Sequence, residues 1–365
     1  MRVLISDKLA QEGIEVLQKE GFEIINEQPS SQEELCELIK DVEAIIIRSG
    51  TKVTAEVISR AQKLKVIGRA GVGLDNVDVE AASRRGIIVM NAPGGNTIAT
   101  CEHTWAMILA LKRNIARAHP SITCGEWKRS QFMGKEVYGK VLGIIGLGRI
   151  GREVAKRAIA FGMKVIGYDP YITEEVAAKA EVKLVSLEEL LREADIITVH
   201  TPLTNDTRYL ISDREFSLMK KGAKIINCAR GGIIDERALY RALKEEKISG
   251  AALDVYENEP PGGDFPLFEF KDRCVFTPHL GASTKEAQIN VAVEIAHCVA
   301  AALKDQGIKN AVNFPSIDME LLQRLGPYIQ LGEKMGMLAS QLIEARVKRI
   351  KVGFWERFLS LILSH

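Results

Sequence analysis

The chain has 365 residues, of which 46% are hydrophobic and 27% are charged, as is typical of folded globular proteins. Its formal net charge of +1 provides no general attraction for nucleic acid or an acidic membrane, so neither is expected as a partner. The sequence contains no run of about 18 apolar residues, so no transmembrane helix is expected. The six cysteines lack CxxC spacing, which favours neither a zinc site nor disulfides. We therefore expect no metal and a cytoplasmic location.

Strand and helix patterns alternate in the first quarter of the chain. Apolar runs such as Arg2 to Ile5 and Ala44 to Ile47 are typical of buried strands, and helical spacing separates them. Repeated β-α units of this length predict a parallel sheet covered by helices. After a glycine-rich segment, Asn96 is placed to cap a long helix that we expect to continue to about His119.

A glycine-rich turn follows an apolar strand in the middle of the chain. The run Val141 to Ile145 is strand-like, and helical spacing begins at Arg149. Between the strand and the helix, Gly146 permits a tight turn and Gly148 lets the backbone approach a pyrophosphate. Within the first turn of the helix, Gly151 allows close packing of the helix on the strand. The N–H groups at the start of the helix are available to an anion. The sequence therefore predicts a dinucleotide-binding turn.

The end of the next strand indicates which dinucleotide binds. The strand Lys164 to Tyr168 is followed by Asp169, whose carboxylate is placed to accept hydrogen bonds from both hydroxyls of an adenosine ribose. The same negative charge would repel a 2′-phosphate, so the sequence favours NAD over NADP. The alternative is that Asp169 only begins the turn at Pro170.

Further strand patterns extend this second sheet. They cover Asp195 to Val199, Ala223 to Asn227, Gly250 to Leu253 and Arg273 to Phe276. A capping box from Ser283 to Glu286 then predicts a helix to about Leu303 that returns the chain to the first sheet. The expected fold class is α/β, with two doubly wound parallel-sheet domains and a ligand cleft at the carboxyl ends of their strands.

Three segments after predicted strands carry groups suited to hydride transfer between a 2-hydroxy acid and a nicotinamide. That reaction requires a cation for the carboxylate and an acid/base for the hydroxyl proton. Arg230 is suited to clamp a carboxylate through two hydrogen bonds, and His279 is the best acid/base candidate. Glu259 is the expected partner of His279, because a neighbouring carboxylate favours the imidazolium form. Taken singly, Arg230 and the acidic loop around Glu259 are also consistent with surface positions.

Three other histidines are assigned different roles. His103 and His297 lie within helical patterns, where packing or solvation is expected. His200 lies at a strand end, where its backbone and the side chain of Thr201 are expected on the nicotinamide side of the cofactor.

Several motifs occur in a fixed order along the chain. They are Arg48 to Thr54, Gly68 to Asn76, Asn91 to Asn96, Gly146 to Gly151, Tyr168 to Pro170, His200 to Pro202, Cys228 to Gly232, Asp254, Glu259-Pro260 and His279 to Thr284. In this combination residues 1 to 313 resemble the D-isomer-specific 2-hydroxyacid dehydrogenases, and among them the members that act on 3-phospho-D-glycerate. The resemblance implies NAD-dependent oxidation of that acid to 3-phosphooxypyruvate, the first step of L-serine biosynthesis, by a homodimer or homotetramer.

The resemblance also implies roles for individual residues. His279 is implied to be the proton donor and acceptor, Glu259 its partner and Arg230 the substrate clamp. The residues implied to bind NAD lie at turns and strand ends: Val72, Gly146, Gly148, Arg149, Ile150, Gly151, Asp169, Thr201, Cys228, Ala229, Arg230, Asp254, His279, Leu280, Gly281 and Ala282.

The expected substrate-binding residues are Arg48, Ser49, Arg69, Gly71, Gly94, Asn96 and Arg129. Arg48 and Arg69 are predicted to lie in loops that face the cleft, where each is suited to a phosphate or a carboxylate. Arg129 is predicted to reach the cleft of a neighbouring subunit.

The resemblance divides the chain into domains. Residues 1–95 and 284–313 are expected to form a flavodoxin-like substrate-binding domain, into which a Rossmann NAD-binding domain, residues 96–283, is inserted. Residues 314–365 resemble the start of an additional domain that precedes a serine-binding regulatory domain, so we expect a partial C-terminal extension without serine feedback. Within it a connection from Phe314 to Leu325, a helix from Tyr328 to Arg346 and a strand from Val347 to Val352 are predicted.

Two alternative functions share these motifs. A broader D-2-hydroxyacid dehydrogenase, such as a glyoxylate or hydroxypyruvate reductase, would use the same acid/base, clamp and NAD residues. An NADH-responsive corepressor-like binding module would use the same fold without the chemistry, although the sequence has no evident peptide-binding segment for that role.

Overall fold

The computed structural model describes residues 1–314 and 319–342. Its strands form two β-sheets in which every strand pair is parallel. Among the described residues, no helix has both the length and the apolar character needed to cross a membrane. The same residues contain no cluster of three or more side chains suited to hold a metal ion.

The first sheet has five strands in the order β2-β1-β3-β4-β5. They are β1 (Arg2–Ile5), β2 (Glu23–Asn26), β3 (Ala44–Ile47), β4 (Val66–Arg69) and β5 (Ile88–Asn91). The helices that connect them are α1 (Gln11–Lys19), α2 (Gln32–Leu38), α3 (Ala55–Arg60) and α4 (Val79–Arg84). This strand order is the flavodoxin-like one, so the order reverses between β1 and β3 and leaves a crevice at their carboxyl ends.

Two consecutive helices lead to the second sheet. They are α5 (Thr97–Arg113) and α6 (Ile115–Thr123). The predicted single helix to His119 is therefore wrong, because Asn114 adopts a left-handed conformation with φ 56° and ends α5. Asparagine tolerates this conformation better than most residues, which suits it to a helix end. Asn96 is the N-cap residue of α5 as predicted, but its side chain makes no capping hydrogen bond.

The second sheet has seven strands in the order β12-β11-β10-β9-β6-β7-β8. They are β6 (Val141–Ile145), β7 (Lys164–Tyr168), β8 (Lys183–Leu184), β9 (Ile196–Val199), β10 (Lys224–Asn227), β11 (Gly250–Leu253) and β12 (Cys274–Phe276). Its connecting helices are α7 (Arg149–Ala160), α8 (Glu174–Lys179), α9 (Leu187–Glu193), α10 (Asp213–Leu218) and α11 (Glu236–Lys244). This is the Rossmann order extended by one strand, with its reversal between β6 and β9. The sequence did not predict β8, which is too short to show a pattern.

Helix α12 (Lys285–Leu303) returns to the first sheet, where it packs on α1 and β4. Its N-cap is Thr284, whose Oγ1 accepts a hydrogen bond of 3.1 Å from the N–H of Ala287. The predicted capping box at Ser283 is therefore one residue too early. The reason is that the Ser283 N–H closes a turn by donating to the carbonyl of Leu280 at 2.8 Å.

The C-terminal part of the described chain is α13 (Met319–Leu342). It begins before the predicted helix, so the predicted connection is wrong from Met319 to Leu325. The predicted strand from Val347 to Val352 lies outside the described residues.

Apolar side chains fill the space on both faces of each sheet. In β3, Ile46 packs in one cluster with residues of α1 and α12, whereas Ile45 and Ile47 pack in another with residues of α2 and α3. Successive strand residues point to opposite faces, so continuous apolar runs are required where helices cover both sides. These two cores fix the carboxyl ends of the strands, from which the candidate site is built. The predicted domain boundaries remain a prediction.

Candidate active site

Strand ends from both sheets border one cleft of about 620 Å³. Val72 and its neighbours follow β4, His200 and Thr201 follow β9, and His279 follows β12. The cleft therefore lies where the strand order of the Rossmann-type sheet reverses, which is the expected position for a ligand in this topology. The further lining residues are Gly73, Leu74, Asp75, Asn96, Thr100, Ile150, Pro202, Leu203, Cys228, Ala229, Arg230, Gly281 and Ala282.

The predicted nucleotide turn connects β6 to α7. Gly146 has φ +93°, a conformation that L side chains rarely adopt, and Gly148 is the N-cap of α7. The carboxylate of Asp169 supports this turn, because one oxygen accepts the N–H of Leu147 at 2.8 Å and the other accepts the N–H of Tyr171 at 2.9 Å. The bond to Tyr171 shows that Asp169 also begins a turn at Pro170, which was the alternative role considered for it. A carboxylate has about four acceptor sites, so both oxygens keep capacity for ribose hydroxyls.

Two buried oxygens of cleft residues fit a polar ligand such as NAD. Thr201 Oγ1 and Asn96 Oδ1 are buried and have no hydrogen-bond partner in the described structure. Buried polar atoms are normally paired in folded proteins, so such atoms in a cleft are suited to hydrogen bonds from a ligand. Both residues line the cleft, so their oxygens are available to a ligand bound there.

His279 and Glu259 form a hydrogen-bonded pair at the cleft. Nδ1 of His279 lies 2.6 Å from Oε2 of Glu259, and the imidazole is 47% exposed. The other carboxylate oxygen of Glu259 accepts the N–H of Tyr256 at 3.1 Å, which fixes the carboxylate in its loop. Because Nδ1 faces the carboxylate, Nε2 is the nitrogen left for proton exchange with a ligand.

Asp254 holds the backbone that carries His279. Its carbonyl oxygen accepts the His279 N–H at 2.9 Å, and its carboxylate accepts the N–H groups of Leu280 at 2.7 Å and Gly281 at 2.8 Å. Burial would raise the pKa of this fully buried carboxyl, but hydrogen bonds from His103, Thr277 and Leu280 outweigh burial and lower the pKa. Asp254 therefore supports the His279 loop, and its implied contact with NAD remains a prediction.

Of the three predicted arginines, Arg230 lines the cleft, whereas Arg69 and Arg48 do not, and Nη1 of Arg48 donates to the carbonyl of Lys8 at 3.3 Å. Arg230 pairs with Asp75, with Nε 3.3 Å from a carboxylate oxygen. Arg69 lies close to Gly71 and has a buried Nε without a partner among the described residues. Burial first, and then the charges of Arg230 and Arg48, lower the pKa of Arg69 to about 10, which still leaves it charged at neutral pH. The charges of Arg230 and Arg48 therefore both act on Arg69, and of the three side chains only that of Arg230 lines the cleft.

Glycines make room for two of these guanidinium groups. A Cβ added to Gly73 would lie 2.0 Å from Nη2 of Arg230, and one added to Gly71 would lie 1.7 Å from Nη1 of Arg69. Any larger residue at either position would displace an arginine, so the loop after β4 is shaped around them.

Three further residues that were predicted to bind the substrate, Gly94, Ser49 and Arg129, do not line the cleft. The N–H of Gly94 donates to Glu294 at 3.2 Å, and Ser49 is exposed beside Arg48. Arg129 lies in a short 3-10 helix, Arg129–Phe132, at a different depression of this chain. Burial raises the pKa of the Cys228 thiol, so this cleft residue stays protonated and contributes contact area instead of charge.

Sequence reasoning missed His103 and Asp75. Nε2 of His103 lies 3.1 Å from Asp254, and Asp75 is the ion-pair partner of Arg230. Both contacts join residues more than 100 positions apart in the chain. No local pattern signals such a contact, although the acidic residue within the glycine-rich motif before Asn76 was a cue for Asp75.

Comparison with known proteins agrees with this geometry. Residues 105–281 match the model of the D-isomer specific 2-hydroxyacid dehydrogenase NAD binding domain. A D-3-phosphoglycerate dehydrogenase of Methanocaldococcus jannaschii is 50% identical over 353 residues, which cover 96% of this chain and 67% of that protein. The chain belongs to the D-isomer specific 2-hydroxyacid dehydrogenases. It spans about two thirds of the length of such curated relatives.

Two solved structures of the same family have a closely similar fold. The NAD⁺-bound 3-phosphoglycerate dehydrogenase of Entamoeba histolytica has a TM-score of 0.73 at 33% identity, covering 86% of this chain and 99% of that one. A D-lactate dehydrogenase of Aquifex aeolicus, complexed with NAD and lactic acid, has a TM-score of 0.73 at 31% identity, covering 87% of this chain and 100% of that one. The predicted family, the α/β fold class with two parallel sheets, and NAD as cofactor are confirmed.

Proposed function

We propose that the protein oxidises 3-phospho-D-glycerate to 3-phosphooxypyruvate with NAD as the oxidant, the first step of L-serine biosynthesis. The observation that carries this proposal is that Arg230 lines the cleft and that Arg69, at the end of β4, carries a second positive charge that acts on Arg230, with the charge of Arg48 also acting on Arg69. An unphosphorylated hydroxy acid has one carboxylate to neutralise, whereas 3-phospho-D-glycerate also carries a phosphate. The name of the Methanocaldococcus jannaschii relative supports the same substrate.

The acid/base pair is suited to the proton transfer that this oxidation requires. Bound NAD supplies the acceptor for the hydride that leaves C2 of the hydroxy acid. Nε2 of His279 takes the hydroxyl proton, while Glu259 holds the Nδ1 proton and stabilises the imidazolium that forms. In the reverse direction the same imidazolium returns the proton to the keto oxygen.

Arg230 provides the clamp for the substrate carboxylate. Its Nε contacts Asp75, whose side chain is 72% exposed, while its Nη1 donates to the carbonyl of Ala229 at 2.7 Å. The backbone bond orients the guanidinium, and the exposed aspartate is weakly held because solvent screens its charge. We infer that the substrate carboxylate replaces Asp75 on Arg230, whereas Arg48 and Arg69 bind the phosphate.

A broader D-2-hydroxyacid dehydrogenase is the alternative, because it would use the same His279–Glu259 pair and nucleotide turn. A comparison of substrates separates the two functions. NADH formation by the purified protein is measured with 3-phospho-D-glycerate, D-glycerate, D-lactate and 2-hydroxyglutarate. A kcat/KM at least tenfold higher for the phosphorylated acid supports the proposal. Equal or lower kcat/KM for that acid refutes the substrate assignment and leaves the dehydrogenase assignment intact.

A corepressor-like module is disfavoured by the same geometry. A binding module has no need of an imidazole aligned at 2.6 Å on a carboxylate in the cofactor cleft. If His279→Ala kept full activity with every acid tested, the proposed catalytic role of this pair would be refuted.

We further propose that the protein forms a homodimer or homotetramer. An open depression of about 1140 Å³ lies along α6 and the following segment, and Trp127 and Met133 there are 78% and 82% exposed. Large apolar side chains grouped on a surface are typical of a subunit contact. Arg129 lies in this region, consistent with its predicted reach into a neighbouring cleft. Light scattering of wild type and Trp127→Ser tests this assembly, because a monomeric wild type would refute it.

We also propose a cytoplasmic location. All six cysteines are unpaired, and five of them are buried, so the fold neither uses nor requires disulfides. A fluorescent fusion that localised outside the cytoplasm would refute this assignment.

A further inference from the structure

His103 occupies a position that a packing role does not explain. It lies on α5, which packs against β10, β11 and β12, and its side chain is only 17% exposed. Its Nε2 is 3.1 Å from Oδ1 of Asp254 and 3.2 Å from Oγ1 of Thr277. An ionised carboxylate only accepts hydrogen bonds, so Nε2 must carry the proton and donate it to Asp254.

Asp254 needs this donor because its charge is completely buried. The residue has no exposed surface, and His103 is the one basic side chain within 4.0 Å of its carboxylate among the described residues. A buried carboxylate is stable only when several donors satisfy its oxygens. Thr277 Oγ1 donates to Oδ1 at 2.6 Å, and Leu280 and Gly281 supply backbone N–H groups, so His103 completes the set with a side chain from another element.

The same carboxylate controls the backbone at His279. His279 has φ 55°, a left-handed conformation that costs a non-glycine residue free energy and requires support from its surroundings. That support comes from Asp254, which accepts the N–H groups of three consecutive residues from His279 to Gly281. A rotation of the Asp254 side chain would break two of these bonds together and release the loop that aims the imidazole.

We propose that His103 is a positioning residue for His279, which it holds in place by donating its Nε2 proton to Asp254. The inference rests on the proposed dehydrogenase function, because positioning matters only if His279 exchanges a proton with the substrate. His103 itself contacts neither substrate nor reacting atoms. Its effect is therefore expected on the chemical step and on the cofactor side of the loop, and not on the arginines that bind the substrate.

Three variants test this role. His103→Gln keeps an N–H group at about the position of Nε2, whereas His103→Leu keeps a similar volume without a donor. Glu102→Gln is the matched control, because it replaces a charged side chain that is exposed and next to His103 on the same helix. For each variant kcat, KM, the NADH dissociation constant and the midpoint of thermal unfolding are measured.

The expected result is a separation of kcat from KM. A hydrogen bond to a buried charge affects an equilibrium by roughly tenfold to a hundredfold, so His103→Leu is expected to lower kcat by about that factor. Its KM for the hydroxy acid is expected to stay within about twofold, and His103→Gln is expected to recover most of kcat. The proposal is overturned if His103→Leu retains wild-type kcat, if only KM changes, or if His103→Gln is as impaired as His103→Leu.

A measurement without substrate keeps this test independent of the proposed function. Gly281, whose N–H donates to the Asp254 carboxylate, and the next residue, Ala282, line the cofactor cleft. NADH fluorescence titration of His103→Leu is therefore expected to show weaker binding, with recovery in His103→Gln and no change in Glu102→Gln. Normal NADH binding by His103→Leu would overturn the proposed link to the loop, whichever acid the wild-type protein oxidises.

Discussion

Nδ1 of His279 and Oε2 of Glu259 are 2.6 Å apart, although the two residues belong to different loops of the Rossmann-type sheet. Glu259 is fixed by the N–H of Tyr256, and His279 is fixed by the backbone of Asp254. Each partner is thus held by its own loop before any ligand binds. Because His279 lines the cleft and its Nδ1 faces Glu259, we propose that the pair, instead of either residue alone, is the unit of acid/base chemistry.

Replacing the carboxylate of this pair is expected to slow catalysis without unfolding the protein. In Glu259→Gln the amide oxygen still accepts a hydrogen bond, but the negative charge that stabilises the imidazolium is lost. We expect kcat/KM to fall by about 100-fold, a typical share for a positioned acid/base. Steady-state kinetics and thermal unfolding are measured together. A kcat/KM within threefold of wild type would contradict the assigned role of Glu259.

Arg69 is expected to discriminate between phosphorylated and unphosphorylated acids. Arg69→Ala removes a charged group whose Nε is buried and unpaired and whose charge interacts with that of Arg230, and charge-assisted hydrogen bonds are among the stronger polar contacts. We expect KM for 3-phospho-D-glycerate to rise about tenfold or more, while kinetics with D-glycerate change less. Arg60→Ala, an exposed arginine on α3, is the control. An equal effect on both acids would assign Arg69 to the carboxylate instead of the phosphate.

Lys224, the first residue of β10, is predicted to destabilise the fold at neutral pH. Burial, followed by the charge of Lys112, lowers the pKa of Lys224 from 10.5 to about 8. A base whose pKa is lower in the folded state binds fewer protons there, so the stability of the wild type rises with pH between about 8 and 10.5. Below pH 8 the lysine is charged in both states, so the folded state bears the full cost of burying the charge, which lowers the free energy of unfolding by about 3 kcal/mol at most.

Lys224→Met is therefore expected to raise the midpoint of thermal unfolding at pH 7, and the gain is expected to shrink at pH 10. Lys221→Met is the matched control, because Lys221 is exposed in the turn before the same strand. Differential scanning calorimetry at both pH values checks the difference. Destabilisation by Lys224→Met at pH 7 would show that the lysine has a stabilising partner in solution.

The sequence predicted the parts of the site that depend on local chemistry. The change from strand to helical spacing around Gly146 and the carboxylate of Asp169 each depend on a short stretch of sequence. Both are present at the expected strand ends, after β6 and after β7. The predicted capping box at Ser283 was wrong because Ser283 and Thr284 are both suitable N-cap residues. In the structure the Ser283 N–H closes a turn on Leu280, and Thr284 is the N-cap. Such a decision depends on backbone direction, which a residue pattern does not contain.

Contacts between distant elements could not be predicted from the same patterns. Helical spacing places His103 on one face of α5 but does not indicate that β11 ends in a buried carboxylate beneath it. Likewise, Arg69 ends β4 and Arg230 follows β10, but the two strands belong to different sheets. Their proximity depends on how the two sheets face each other across the cleft. The chemistry of the strand ends and the family resemblance both pointed to His279, Glu259 and Arg230 as the candidate residues, whereas the structure supplied the partners that hold them.

The glycines of the nucleotide turn offer a matched pair of substitutions that separates folding from cofactor binding. A Cβ at Gly151 would lie 2.1 Å from the carbonyl oxygen of Gly146, whereas a Cβ at Gly148 would meet nothing within 4 Å. Gly151→Ala is therefore expected to lower the unfolding midpoint, since overpacking costs about 1–3 kcal/mol.

Gly148→Ala is expected to unfold like the wild type, because the added methyl group enters open space and alanine tolerates the φ of −64° found there. The same space is the one that a pyrophosphate needs to approach the start of α7, so NADH binding is expected to weaken by at least about tenfold. Calorimetric unfolding and NADH fluorescence titration are performed on both variants. If Gly148→Ala bound NADH with wild-type affinity, the dinucleotide would have to cross this turn elsewhere, and the assignment of Gly148 to the cofactor would be wrong.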